Sequence, residues 1–210
     1  AVPESLLRAY RTAVTEPQGP VYVCYDVDLQ ESPVTEPISL PDPHYYGPPT
    51  PPAASPDAVQ QAAEWLVSAE HPVIIADAVG RHPNAVRALV ELAELLAIPV
   101  LDHGARFNMP NTHALDCTGA DAELLPRADV VLALDVVDLF RSLNRLDRHT
   151  RTLQSLVSDN AKIVHISLGD FAIRSWAGDY QRLHRIDLPI AADTSVALHQ
   201  LLAACRDLMC

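Results

Sequence analysis

Asp102, His103, His113, Asp116 and Cys117 bring carboxylate, imidazole and thiol groups into one short stretch just beyond an apolar run. These are zinc-ligand types, but structural zinc sites space them in compact pairs, and this arrangement matches no such pattern, so no metal ligand is assigned. Asp135 and Asp138 are close enough in sequence to suggest acid–base work. At the end of the apolar run 130–134 they read instead as strand-end caps or solvated charges. There is no GxSxG elbow, and no serine or cysteine sits in the setting of an activated nucleophile, so no catalytic residue is assigned. The glycines stand at 19, 47, 80, 104, 119, 169 and 178, too far apart for GxGxxG, and no GK[ST] is present. A Rossmann fingerprint and a P-loop are therefore excluded. Gly80 remains as a turn glycine behind the run 73–76, where it is expected to adopt a positive φ. Cys24, Cys117, Cys205 and Cys210 form no CxxC pair and read as reduced thiols.

The elements that position these groups follow from composition and periodicity. With 210 residues, 49% of them apolar, the chain can bury a sizeable core. Its net charge of −12 argues against nucleic acid or an anionic membrane as partner, since both need a basic footprint. No apolar run approaches the roughly 20 residues of a spanning helix, and the first residues carry no basic segment followed by an apolar one, so the protein is expected in the cytoplasm. The sequence starts at Ala1, and its methionines are Met109 and Met209, so it is expected to be an excised fragment.

Pro3, Glu4 and the apolar set Leu6, Leu7, Tyr10 and Val14 predict a helix over about 4–15. The β-rich run 21–27 predicts a strand. One helix and one strand cannot enclose a core, so residues 1–32 read as the last piece of a larger domain, whose strand would pair with another chain, join the central sheet or stay mobile. The proline-dense stretch 33–56 reads as an extended linker. From 57 to 210 helical periodicity alternates with short apolar runs near 73, 99, 130, 163 and 187, which predicts a doubly wound parallel α/β sheet. Helix caps are expected at Asp57, Asn84 and Asp193, and a helical stretch over about 150–158.

The order of these segments resembles the thiamine-diphosphate-dependent enzymes of the acetolactate-synthase type. Ala9-Tyr10-Arg11-Thr12-Ala13 and Gly19-Pro20-Val21-Tyr22-Val23 look like the end of that family's N-terminal pyrimidine-binding domain. His71–Ala76, Ala88–Glu94, Ile98-Pro99-Val100, Ala128–Leu134 and Ala161–Ile166 are similar, in order, to its central domain. Ser175–Gln181 and Asp187–Asp193 look like its closing segment.

The resemblance implies an intact enzyme in which thiamine diphosphate and Mg²⁺ make or break a carbon–carbon bond beside the carbonyl of a 2-oxo acid. It also implies other domains of the same polypeptide as partners and a homo-oligomer. In such enzymes the activating glutamate and the GDG…N motif lie outside the span that this sequence resembles, so the fragment is expected to be inactive, with a spacer role. Family members holding FAD in the central domain carry a glycine-rich turn after the first strand, a G-x-x-G after the second unit and an acidic residue after the IhI strand. The corresponding places here hold Gly80, Gly119 and Ser167, which implies at most a vestigial nucleotide cleft without flavin. The competing readings are a stand-alone nucleotide-binding module and a scaffold piece with no ligand.

Overall fold

Residues 2–169, 180 and 182–210 are described by a computed structural model, in which the chain divides into units 1–51 and 52–210. In the first unit, α1 (Val2–Val14) carries the expected amphipathic stripe, yet none of its residues is buried, and Leu6 and Tyr10 are exposed. A second, short helix, α2 (Val27–Glu31), is capped by Asp26, whose side chain accepts from the Asp28 N–H. The strand expected over 21–27 does not form: residues 21–26 are irregular and α2 takes up Val27. β-branched and aromatic residues favour a strand only when a neighbouring strand takes their hydrogen bonds, and none pairs with them among the described residues.

The second unit is built on the predicted parallel sheet. Its strands are β1 (Pro72–Ala76), β2 (Val100–Asp102) and β3 (Val130–Leu134), then β6 (Lys162–Ile166) and β7 (Leu188–Ile190) after an antiparallel hairpin of β4 (Asn144–Leu146) and β5 (Leu153–Ser155). The order across the sheet is β2-β1-β3-β6-β7, every pair parallel. The direction in which successive strands are added across the sheet therefore reverses between β1 and β3, the switch point of a doubly wound fold. Alternate residues face opposite sides. Ile74, Ala76, Leu132, Leu134, Val164 and Ile166 join one core, while Val73, Ile75, Val131, Ala133 and Ile163 join the other. Burial on both faces is why these strands read as unbroken apolar runs.

Three long helices cover the first face: α3 (Pro56–Ser68), α4 (Pro83–Leu96) and α7 (Thr194–Met209). The caps of α3 and α4 are Ser55 and His82, not the expected Asp57 and Asn84. Pro56 and Pro83 each take the first helical position, which suits a residue with no N–H to offer, so the cap falls one residue earlier. Asp193 caps α7 as expected, accepting from the Ser195 and Val196 N–H groups, and Ala197, Leu198, Leu201 and Cys205 are buried in the core.

Shorter pieces cover the second face. They are α5 (Asp121–Leu124), a 3-10 turn over Leu125–Arg127, α6 (Leu139–Ser142) and the β4–β5 hairpin. The hairpin replaces the helix expected over 150–158. Asp147 accepts from the His149 and Thr150 N–H groups to form the turn, and Arg151 has a left-handed φ of 57°, which stops a helix there.

Both edges of the sheet are finished differently from its centre. Residues 116–117 run beside β2 through a parallel bridge between Val100 and Asp116. On β7, Ile190 accepts from the Ser167 N–H inward, which leaves Pro189 with its backbone facing away from β6. Of the closing segment Ser175–Gln181, only Tyr180 lies within the described residues. Among those residues no helix is long and apolar enough to cross a membrane.

Candidate functional site

In a doubly wound sheet the ligand crevice opens at the carboxyl ends of the strands that flank the switch point, here β1 and β3. Behind β1, Asp77 reaches both rims: its Oδ1 accepts from the Ala105 N–H and its Oδ2 from the Val137 N–H, each at 3.3 Å. Gly80 follows in a 3-10 turn over Val79–Arg81. The expected positive φ is not there; among the described glycines it belongs to Gly104 and Gly119. What demands glycine at 80 is close approach, because a Cβ would stand 1.9 Å from the Phe107 carbonyl oxygen. The Gly80 N–H donates to Asn108 Oδ1 at 3.0 Å.

Arg81 then spans the strand ends. Its Nη2 lies 3.2 Å from Asp135 Oδ2 and 3.4 Å from Asp193 Oδ2. Asp193 is fully buried and Asp135 nearly so, so both need a cation close by. Asp135 turns away from β3 with φ 51° and donates its N–H to Ile166 O, so the ends of β3 and β6 are tied through the same residue.

On the second face a cavity of about 540 Å³ opens between the end of β2, α6 and the hairpin. At its wall His103 links two elements: Nε2 is 2.9 Å from Asp121 Oδ1 and Nδ1 is 3.2 Å from Ser142 Oγ. The His103 hydrogen bond holds the Asp121 carboxyl below its ordinary value, against the opposing pull of partial burial. The serine ends a four-residue helix rather than a strained elbow, and the Asn144 amide donates to Phe140 O. The arrangement orients the imidazole and joins β2 to α6.

A neighbouring cavity of about 750 Å³ is lined by Arg141, Arg145, Arg148, His149, Gln154 and Tyr180, among others. In a chain of net charge −12 this is a local excess of cation. Its signal was present in the sequence, where Arg141, Arg145, Arg148 and Arg151 fall close together, and charge patterning would have found it.

The sequence candidates do not converge. Asp102 accepts from the Gly104, Asn108 and Met109 N–H groups, and His113 Nε2 meets Glu94 at 3.1 Å. Asp116 caps Thr118, and the Cys117 N–H donates to Val100 O. Each is engaged with a different neighbour, so they form no metal site. Asp138 caps α6 through the Arg141 N–H at 2.9 Å, as a strand-end cap should. Gly119, with φ 89°, lies past the strip beside β2, and Ser167 lies at the end of β6, where its Oγ accepts from the Gly169 N–H. Gly80, Gly119 and Ser167 thus lie along one edge of the sheet without meeting, β3 standing between β1 and β6.

The residues present do not fit thiamine diphosphate or its Mg²⁺. The turn amide of Gly80 is already donated, and the cavity carboxylates Asp77, Asp121 and Asp138 are each engaged within the chain.

A doubly wound α/β domain with its switch-point crevice crowded by its own loops is the class that fold and site define. Residues 59–201 match the family described as "Thiamine pyrophosphate enzyme, central domain", and the chain belongs to that family. It is 30% identical to the glyoxylate carboligase of Escherichia coli O157:H7 over 99% of its own length and 33% of that protein's. It is 27% identical to a probable acetolactate synthase large subunit of Methanocaldococcus jannaschii, over 97% of its own length and 34% of that protein's. The chain thus spans about a third of the length of these curated relatives. Among solved structures, a benzoylformate decarboxylase from Polynucleobacter necessarius superposes with a TM-score of 0.72 at 20% identity, over 97% of this chain and 36% of that one, which shows a shared fold.

Proposed function

We propose that the intact protein is a thiamine-diphosphate- and Mg²⁺-dependent enzyme that makes or breaks a carbon–carbon bond beside the carbonyl of a 2-oxo acid, in which this chain supplies the central domain. The family match over 59–201, with relatives aligned along nearly the whole chain, carries this reading. The cofactor, when bound, supplies the carbanion chemistry. This domain's own residues supply a rigid spacer: a sheet buried on both faces, with its strand ends tied by Arg81 and Asp77. Residues 1–32 are then the end of the pyrimidine-binding domain and 33–56 the linker. The lack of any buried residue in α1 supports that assignment, since an amphipathic helix needs an apolar partner. Gly80, Gly119 and Ser167 serve as turn residues of a cleft that holds no flavin. The protein works in the cytoplasm as a homo-oligomer, without nucleic acid or membrane.

The test compares the intact protein with this chain. With thiamine diphosphate and Mg²⁺, the intact protein should turn over glyoxylate or pyruvate, and the chain alone should turn over neither. Calorimetric titration of the chain with thiamine diphosphate and Mg²⁺ should show no saturable heat. A dissociation constant at or below about 10 μM, about −7 kcal/mol, would place the site in these residues and sink the spacer reading.

A further inference from the structure

We propose that Asn108 is a built-in occupant of the β1 side of the switch-point crevice, over the ends of β1 and β2, its side-chain amide making there the contacts that a ligand's polar head makes in other doubly wound folds. That side of the crevice is closed from within by the loop 103–109.

Three sets of contacts carry this. First, Asn108 is fully buried, and its Oδ1 takes the N–H of Gly80, the amide of the glycine turn behind β1. Turn amides in that place are what such folds point at a phosphate. Its Nδ2 faces Asp77 O at 2.9 Å, Arg106 O at 2.8 Å, Ala76 O at 3.3 Å and Asp102 Oδ1 at 2.7 Å. Four acceptors around the nitrogen and one donor at the oxygen fix the orientation of the amide, because the flipped form would set oxygen against oxygen four times.

Second, the loop backbone is seated on the turn, with Phe107 O where a Gly80 Cβ would be. No space is left there for a guest. Third, the loop is clamped at both ends. Asp102 Oδ2 accepts from the Asn108 and Met109 N–H groups at 3.0 and 3.2 Å, its Oδ1 holds the Gly104 N–H at 2.8 Å, and the Met109 side chain is buried. Asp77 and Asp102 also set two carboxylates beside the path a phosphate would take, which opposes an anion.

This inference concerns the crevice alone and stands whether or not the thiamine reading holds. Amide hydrogen exchange on the chain tests it, with ADP as probe. In the wild type, about 1 mM ADP should leave exchange unchanged over 77–81 and 135–138, whatever binding it shows elsewhere. In Asn108→Ala the Gly80 amide should exchange at least about tenfold faster, the loss of one buried hydrogen bond, while the β6 and β7 amides keep their wild-type rates. ADP protection over 77–81 in the wild type would overturn the proposal. So would a Gly80 amide whose exchange is unmoved by Asn108→Ala. Should that variant not fold, the wild-type ADP measurement decides alone.

Discussion

On one face of the sheet α3, α4 and α7 lay 13, 14 and 16 residues of helix against Ile74, Leu132 and Val164. Among the described residues on the other face, α5 and α6 have four residues each, joined by a hairpin of three-residue strands. Long helices bury an uninterrupted stripe, and the cavity of about 470 Å³ on that side lies at the N-terminal ends of α4 and α7, away from the centre of the sheet. Short elements expose their ends every few residues, and polar end groups line the gaps that remain, here the cavities of about 540 and 750 Å³. One sheet thus has a side built for stability and a side that can carry charge.

The sharpest way to break this comparison uses thiols. Cys205 is buried under α7, and burial pushes its pKa to about 11. Only about one Cys205 in a thousand is a thiolate at pH 8. A thiol reagent should therefore label the exposed Cys24 and Cys210 promptly and Cys205 at least about a hundredfold more slowly. Comparable labelling in the folded chain would mean that the long-helix face opens readily.

Truncation should show the same asymmetry in urea unfolding. Leu92→Ala empties a fully buried site in α4 and should cost about 3 kcal/mol. Leu156 is only partly buried and lines the smaller cavity, so Leu156→Ala should cost about 1 kcal/mol. Equal costs would show that the short-element face is as tightly packed as the other.

The smallest effect is electrostatic. Asp121 is held below its ordinary 3.8 by the His103 hydrogen bond, so its folded pKa is depressed. The stabilisation it gives is then full above the unfolded pKa and is lost as pH falls through the folded value. Because its side chain is 31% exposed, screening limits this to a few tenths of a kcal/mol. Asp121→Asn should melt slightly below wild type at pH 6, the gap closing as pH falls through the depressed folded value. A gap that persists in acid would assign the effect to packing.

The parallel sheet and its strand positions were legible because each strand is a short apolar run between helical periods, a local pattern with one physical reading. The caps of α3 and α4 were misplaced by two residues, because the polar side chains of Asp57 and Asn84 were weighed above Pro56 and Pro83, which fix the first helical position. The strand expected over 21–27 failed because propensity does not supply a partner. The hairpin was missed because its register, Asn144 to Ser155 and Leu146 to Leu153, joins residues about ten apart whose local chemistry reads as polar helix. Asn108 carried no local signal, since its role depends on Gly80 and Asp77, some thirty residues away in sequence and adjacent only once β1 and β2 have paired.

Pro189 has a consequence for how copies of this protein meet. An open parallel sheet presents a row of backbone donors at each margin, and such rows recruit strands from other molecules into fibrils and swapped assemblies. On β7 the residue whose backbone points away from the sheet is the one type with no N–H to give. At the opposite margin, residues 116–117 already occupy β2. Crowded copies are therefore denied edge-to-edge growth at both ends, and a chain rich in valine and isoleucine strands can be kept concentrated without its sheets propagating from one molecule to the next.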